Sequence, residues 1–192
     1  WVGPWTAAGD RPRLHPSARH HAAADEWPQG ALILAPASVW ATKRWPAEQW
    51  ASLADAWAER QPGQAIILIG GGDDKALLDA IAGQCQSAQP MTCAGGLDLL
   101  GTAALMSRST MVVSNDSAPL HMAGAMDVPH VAVFCSTTAG FGFGALPHMV
   151  DTRSALNVEI EPSQLACKPC GPHGHKECPA GHFKCGRELG FH

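Results

Sequence analysis

Apolar positions along the chain alternate between two rhythms. Ala31-Leu32-Ile33-Leu34-Ala35 is a continuous apolar run of the kind a strand buried on both faces presents, and Pro36 ends it because proline has no N–H for a ladder. After a loop to Trp45, Pro46 suits a first helical position and Glu48 a first turn, where negative charge is favourable. Trp50, Leu53, Ala54 and Trp57 then recur at i, i+3, i+4 and i+7, which predicts a helix with one buried face, ended by Pro62-Gly63. The unit repeats. Ala65 to Ile69 reads as a strand, Gly70-Gly71-Gly72 as a turn, and Asp73 to Ala82 as a helix with Leu77, Leu78 and Ile81 inward, closed by Gly83. A weaker strand at Met91-Thr92-Cys93 leads to a helix from Leu97 to about Ser107. Met111 to Ser114 and His130 to Phe134 are further strands flanking a helix from Ser117 to Met126.

Strands alternating with helices across short connections predict an α/β fold, a doubly wound Rossmann-like parallel sheet with helices on both faces. The expected organisation is a linker or peripheral segment over 1–30, a doubly wound Rossmann-like domain over 31–160, which the resemblance given below makes nucleotide-sugar-binding, and a Cys/His-rich tail over 161–192. Within the first segment, Ser17 to Glu26 can form a short Ala-rich helix. The Gly-rich stretch Ala139 to Gly144 follows the last clear strand and reads as a loop at the carboxyl edge of the sheet.

The length of 192 residues allows one well-filled core, and 46% hydrophobic with 16% charged residues describes a globular protein. A net charge of -4 gives no electrostatic case for a nucleic-acid partner. No apolar run approaches the roughly 18 residues of a membrane span, and no signal-peptide pattern opens the chain, so a cytoplasmic location is expected. Seven cysteines are unevenly spread. Cys85, Cys93 and Cys135 read as small buried hydrophobes. Cys167, Cys170, Cys178 and Cys185 crowd into the tail, interleaved with His173, His175 and His182. These ligand types suit a structural zinc, with disulfides or free thiols as the alternatives, since only the first pair has Cys-x-x-Cys spacing.

The candidate chemistry collects at loops that follow strands. Ser114-Asn115-Asp116-Ser117-Ala118-Pro119-Leu120-His121 joins a strand to a helix start, where unpartnered N–H groups and the helix dipole favour an anion. Asp116 and Ser117 could equally be plain N-caps. His121, four residues after Ser117, leans back toward the same crevice or packs on the helix surface. Thr42-Lys43-Arg44 places two cations before a helix start, where the dipole disfavours them; either a negative ligand or a solvated loop anchored by Trp45 explains them. Gly70-Gly71-Gly72-Asp73-Asp74 lacks both the spaced Gly-x-Gly-x-x-Gly fingerprint and a Lys-Ser/Thr ending, but Asp73 there could take ribose hydroxyls or cap a helix.

Assembled, these pieces resemble the ADP-heptose:lipopolysaccharide heptosyltransferases, inverting enzymes of GT-B fold. The matching text is Pro36 to Pro46, Ser114 to His121, and Phe141-Gly142-Phe143-Gly144. The tail, Cys167-Lys168-Pro169-Cys170 through Gly181-His182-Phe183-Lys184-Cys185, looks like the end of the second-heptose transferases. The resemblance implies the C-terminal, donor-binding half of a GT-B enzyme. Lys43 would meet the ADP-heptose diphosphate beside Thr42, Asp73 the ribose and Leu97 the adenine, while Asp116, Ser117, Ala118 and His121 would surround diphosphate and heptose. No cofactor is expected for transfer, because Lys43 and the amides at 117 and 118 can stabilise the leaving diphosphate. The acceptor is expected to be the lipopolysaccharide inner core, met through an N-terminal half that would also carry the general base. No catalytic residue is therefore expected here, and the chain alone is expected to be inactive. Peripheral association with the cytoplasmic face of the inner membrane goes with that acceptor. The family has Gly at the place of Ala37 and a Gly-Pro-Thr-like turn at Cys135-Ser136-Thr137, so the backbone approaches the ligand differently there. The alternatives are another GT-B-like sugar-nucleotide enzyme, or a non-enzymatic Cys-rich interaction module on a Rossmann-like scaffold.

Overall fold

The computed structural model describes residues 12–146 and 154–190. Its centre is a sheet of six parallel strands: β1 (Leu32–Ala35), β2 (Ile66–Gly70), β3 (Met91–Ala94), β4 (Met111–Asn115), β5 (His130–Phe134) and β6 (Ala155–Glu159). Their order is β3-β2-β1-β4-β5-β6. The chain runs outward from β1 through β2 to β3, returns to lay β4 on the other side of β1, and continues outward to β6. The direction of winding therefore reverses between β1 and β4, which pair in register Leu34 to Val113 and Ala35 to Ser114. In open α/β sheets that reversal leaves a crevice beyond the strand ends.

The apolar runs are continuous because both faces of the strands are covered. Leu32, Leu34, Ile66 and Leu68 point to a cluster containing Trp50, Ala54, Leu78 and Ile81 of α2 (Ala47–Arg60) and α3 (Lys75–Ala82). Their neighbours Ile33, Ala35, Ile67 and Ile69 point the other way. They meet Ala24, Leu105, Met106 and Ala123 of α1 (Ala18–Ala24), α4 (Leu99–Met106) and α5 (Ala118–Ala125). The strand period of two sorts alternate residues into the two layers. Fully burying a side chain such as Leu34 or Ile67 contributes about 1.5–3 kcal/mol each.

Several element ends differ in detail from the sequence reading. Pro46 sits just outside α2 as its N-cap, with Ala47 the first helical residue. A single 3₁₀ turn, Gly72–Asp74, precedes α3, so the α-helix starts at Lys75 rather than Asp73. Gly83 closes α3 in a right-handed conformation (φ -70°), not as a left-handed cap. The helix expected in Ser17–Glu26 is present as α1, with Ser17 as N-cap; residues 1–11 of the expected peripheral segment lie outside the described residues. The strand β6 had no sequence signature. It is an edge strand whose Leu156 and Asn157 are exposed, so the run Ala-Leu-Asn-Val-Glu carries no buried apolar face to read. Among the described residues no helix is long and apolar enough to cross a membrane.

The tail folds back onto the sheet domain. Cys185, from the short helix α6 (Lys184–Arg187), and Leu189 join the cluster on the α2 side. The indole Nε1 of Trp45 donates to the Leu189 carbonyl at 2.9 Å. A second anchor is electrostatic. Lys168, its side chain fully buried, donates from Nζ to Glu159 Oε2 at 2.7 Å, to the Ile160 carbonyl at 2.8 Å and to the Phe134 carbonyl at 3.1 Å. Three acceptors satisfy all three ammonium protons, which is what makes a buried lysine tolerable.

Beside the β1–β4 junction, one side chain spans the loop that leaves β1. Asn115, fully buried, donates from Nδ2 to the Pro36 carbonyl at 2.6 Å, and its Oδ1 accepts the N–H of Trp45 at 3.0 Å. Asn115→Asp would keep the second bond and set a carboxylate oxygen against the Pro36 carbonyl. The folded state would then favour the protonated acid, raising its pKa above the ordinary value of about 3.9. The penalty is absent below that ordinary value, grows as pH rises, and is complete above the raised pKa. Expected in urea unfolding is a loss of about 3 kcal/mol at pH 7.5, shrinking toward wild type by pH 5. A pH-independent difference would show that the amide does not face Pro36.

Candidate functional site

The loops that end β1, β2 and β3 and the start of α5 enclose a cavity of about 540 Å3. Ala37, Ser38, Val39 and Arg44 line it from the β1 loop, Gly70 to Asp74 from the β2 turn, Leu97, Leu99 and Thr102 from α4 and its approach, and Ser117, Ala118, Pro119 and Met122 from α5. It therefore lies at the topological reversal of the sheet.

Of the residues proposed from sequence, Asp73, Leu97, Ser117 and Ala118 line this cavity. Lys43 and Asp116 meet at its edge, where their chain neighbours Arg44 and Ser117 form the wall. Lys43 Nζ lies 2.6 Å from Asp116 Oδ2, with the two side chains 12% and 6% exposed. The same Oδ2 accepts the hydroxyl of Thr137 at 2.7 Å. Lys43 comes from the 3₁₀ turn Ala41–Lys43 and Asp116 directly follows β4, so the sheet order is what joins them.

Thr42 and His121 stand apart from this group. Thr42 is buried, and its hydroxyl oxygen accepts from the N–H of His175 at 2.8 Å and from the hydroxyl of Ser136 at 3.0 Å. It ties the tail to the loop after β5 and lines no part of the cavity. His121 is exposed one turn into α5 and is not among the cavity-lining residues.

The simple capping explanation of the Asp116-Ser117 junction is not what the side chains do. Asp116 points to Lys43 and Thr137, while the Ser117 hydroxyl donates to the Asn115 carbonyl at 3.4 Å and makes no capping bond at the α5 N-terminus. In the β2 turn, Asp74 rather than Asp73 holds the backbone, accepting the N–H of Gly71 at 2.9 Å. Asp73 is left on the cavity wall. The glycines around it serve backbone packing. Gly95, at φ +66°, sits where a Cβ would lie 2.9 Å from Gly72 N, so the β3 exit and the β2 turn touch main chain to main chain.

Three contributors lie outside the donor-site residues proposed from sequence. Arg44 donates from Nε to the Ser38 carbonyl at 2.6 Å and braces the cavity wall. Thr137 orients Asp116. Glu159, held by Lys168, accepts from the Thr138 hydroxyl at 3.0 Å and the Ala139 N–H at 3.2 Å, fixing the start of the Gly-rich loop. Arg44 acts within its own loop, whereas Thr137 and Glu159 act across segments 21 residues apart. The adjacency of Thr137 to a strand end was the one local signal.

Among the described residues no group of three or more His, Cys, Asp or Glu is placed to hold a metal ion, so the zinc expected on Cys167, Cys170, Cys178 and Cys185 is not shown. Cys167 Sγ lies 3.7 Å from His182 Nε2, Cys170 donates to the Cys167 carbonyl, and Cys178 accepts the N–H of Phe183. Burial, together with the neighbouring Cys170, Cys178 and Cys167, raises the Cys185 thiol to about 11, and burial pushes the fully buried Cys135 thiol upward as well.

The profile described as glycosyltransferase family 9 (heptosyltransferase) matches residues 9–179. Lipopolysaccharide heptosyltransferase 1 of Pseudomonas aeruginosa is 29% identical over 140 residues, 72% of this chain and 36% of that protein. Lipopolysaccharide heptosyltransferase 3 of Escherichia coli is 28% identical over 57% of this chain and 32% of its own length. The chain thus spans about a third of the length of the curated relatives it matches. Among solved structures, the family 9 glycosyltransferase of Veillonella parvula superposes with a TM-score of 0.68 at 22% identity, over 96% of this chain and 55% of that one. The ADP-heptose lipopolysaccharide heptosyltransferase II of E. coli does so with 0.66 at 21%, over 83% and 50%. The structural likeness establishes the Rossmann-like fold, and the profile match across most of the sequence establishes that the chain belongs to glycosyltransferase family 9, the heptosyltransferases.

Proposed function

We propose that this chain is the donor-binding part of a heptosyltransferase that moves heptose from ADP-heptose to the inner core of lipopolysaccharide with inversion. The observation that carries the reading is the Lys43–Asp116 pair beside a helix start that Ser117 does not cap, at the edge of a cavity on the topological reversal of the sheet. One cation and the amides at 117 and 118 suit a diphosphate. The adenine would lie by Leu97 and the ribose hydroxyls on Asp73. Asp116 repels phosphate oxygens, so its carboxylate would hold Lys43 and accept heptose hydroxyls. Thr42 would act from behind, by fixing the loop that carries Lys43, and His121 would border the sugar only from the cavity rim.

Inverting transfer develops positive charge at the anomeric carbon and negative charge on the departing diphosphate. Lys43 and the α5 amides meet the second charge, so the chemistry calls on no cofactor. The acceptor contacts and the general base would come from an N-terminal half. A lipopolysaccharide acceptor would bring the enzyme peripherally to the cytoplasmic face of the inner membrane. The names of the relatives support this donor and acceptor, one heptosyltransferase having been solved with ADP-2-deoxy-2-fluoro heptose.

Calorimetry tests the reading. ADP is expected to bind more tightly than UDP, and Lys43→Ala to weaken ADP by about tenfold or more, the loss of one charge-assisted hydrogen bond. A preference for UDP would instead indicate a different sugar-nucleotide enzyme. Heptosyl transfer by these 192 residues alone, followed as ADP release with a lipopolysaccharide core acceptor, is expected at background level. Robust turnover would overturn the assignment of the base to another half.

A further inference from the structure

We infer that residues 168–175 of the tail are a positioning element for Lys43, and that Gly174 is the residue through which they act. The inference rests on the reading of Lys43 as the cation for the donor's phosphates.

Gly174 is buried against the β1 loop. A Cβ placed there would lie 2.4 Å from Trp40 Cβ, closer than real Cβ atoms come, and 3.0 Å from Lys43 Cγ, tight enough that the lysine stem would have to shift. Its backbone is outside the left-handed region, so the requirement for glycine is one of space. The tail main chain therefore lies directly along the stem of Lys43, whose ammonium is held at the other end by Asp116. The next residue locks the seat. His175 donates its N–H to Thr42 Oγ1 at 2.8 Å, and its carbonyl accepts the Thr42 N–H at 3.1 Å. Ser136 closes the triangle, donating its N–H to the Thr42 carbonyl and accepting the Cys170 N–H on its own carbonyl. Below these bonds, Lys168 fixes the start of the segment to Glu159, Ile160 and Phe134.

A lysine side chain has about four rotatable bonds and favours no single direction when solvated. Here one end is clamped by a carboxylate and the stem by a glycine that admits no alternative path on that side. The loop residues on both sides, Thr42 and Trp45, are tied to the tail by hydrogen bonds. The tail thus sets where the charge stands relative to the α5 amides. It makes no contact with the base and ribose part of the cavity, which is lined by other segments.

That separation supplies the test. Wild-type chain, Gly174→Ala, Lys43→Ala and the double variant are titrated with ADP and with adenosine, which lacks the phosphates, circular dichroism checking the fold. Gly174→Ala is expected to weaken ADP about tenfold and leave adenosine unchanged, and to have no further effect on ADP when Lys43 is already Ala. A purely structural tail would weaken both ligands together. If Gly174→Ala does not fold, Lys168→Met combined with Glu159→Gln releases the other anchor without adding an atom near Lys43, and a selective loss of ADP is again expected. Wild type that prefers ADP over adenosine, beside a folded variant that prefers it equally, overturns the inference. Wild type that binds both alike overturns the reading of Lys43 itself.

Discussion

The candidate site depends on the two hydrogen bonds of a single buried amide. Asn115, at the end of β4, takes hold of the β1 loop at Pro36 and again at Trp45, the two ends of the stretch that carries Lys43. Donor and acceptor are both used, so the side chain can stand in only one orientation. An isosteric acid cannot replace it without setting oxygen against oxygen. Because Asp116 directly follows Asn115 in the chain, the same strand end fixes the loop and presents the partner for its cation.

Around that staple, charge is handled by pairing in confined places. Lys168 and Glu159 neutralise each other under the loop that follows β5, and Lys43 and Asp116 do so at the cavity edge. The two pairs differ in completeness. Lys168 has all its protons matched by protein acceptors, which makes it a fixture. Lys43 has one carboxylate beside a helix start that Ser117 does not cap, an arrangement with room for a further anion.

Much of this was legible in the residues themselves. Four strands announced themselves because both faces of the sheet are covered, the edge strand β3 gave a weaker pattern, and the loops after them followed from their Gly, Pro and charged residues. The sixth strand, with Leu156 and Asn157 in solvent, has no pattern to betray it. For the site, the loops carrying Asp73, Ser117 and Ala118, and those of Lys43 and Asp116, were readable as one sheet edge from their places after strands, whereas Leu97 came from the family resemblance alone. The resemblance sets Thr42 beside the diphosphate, but its partner His175 is 133 residues away and comes into view only when the tail is folded back. The same distance hid the part played by Lys168 and Gly174, which lie in a stretch whose cysteines draw the eye to metal chemistry.

The closure between Trp45 and Leu189 also orders events in time. These partners are 144 residues apart, so during synthesis the indole leaves the ribosome long before its acceptor exists. At common elongation rates the interval is roughly 7–30 s. Through it the inner end of the β1 loop must wait with Trp45 and the neighbouring face of α2 unsealed, an exposure that a chaperone or a neighbouring nascent chain could meet. Final closure of that face thus waits for the segment around Leu189.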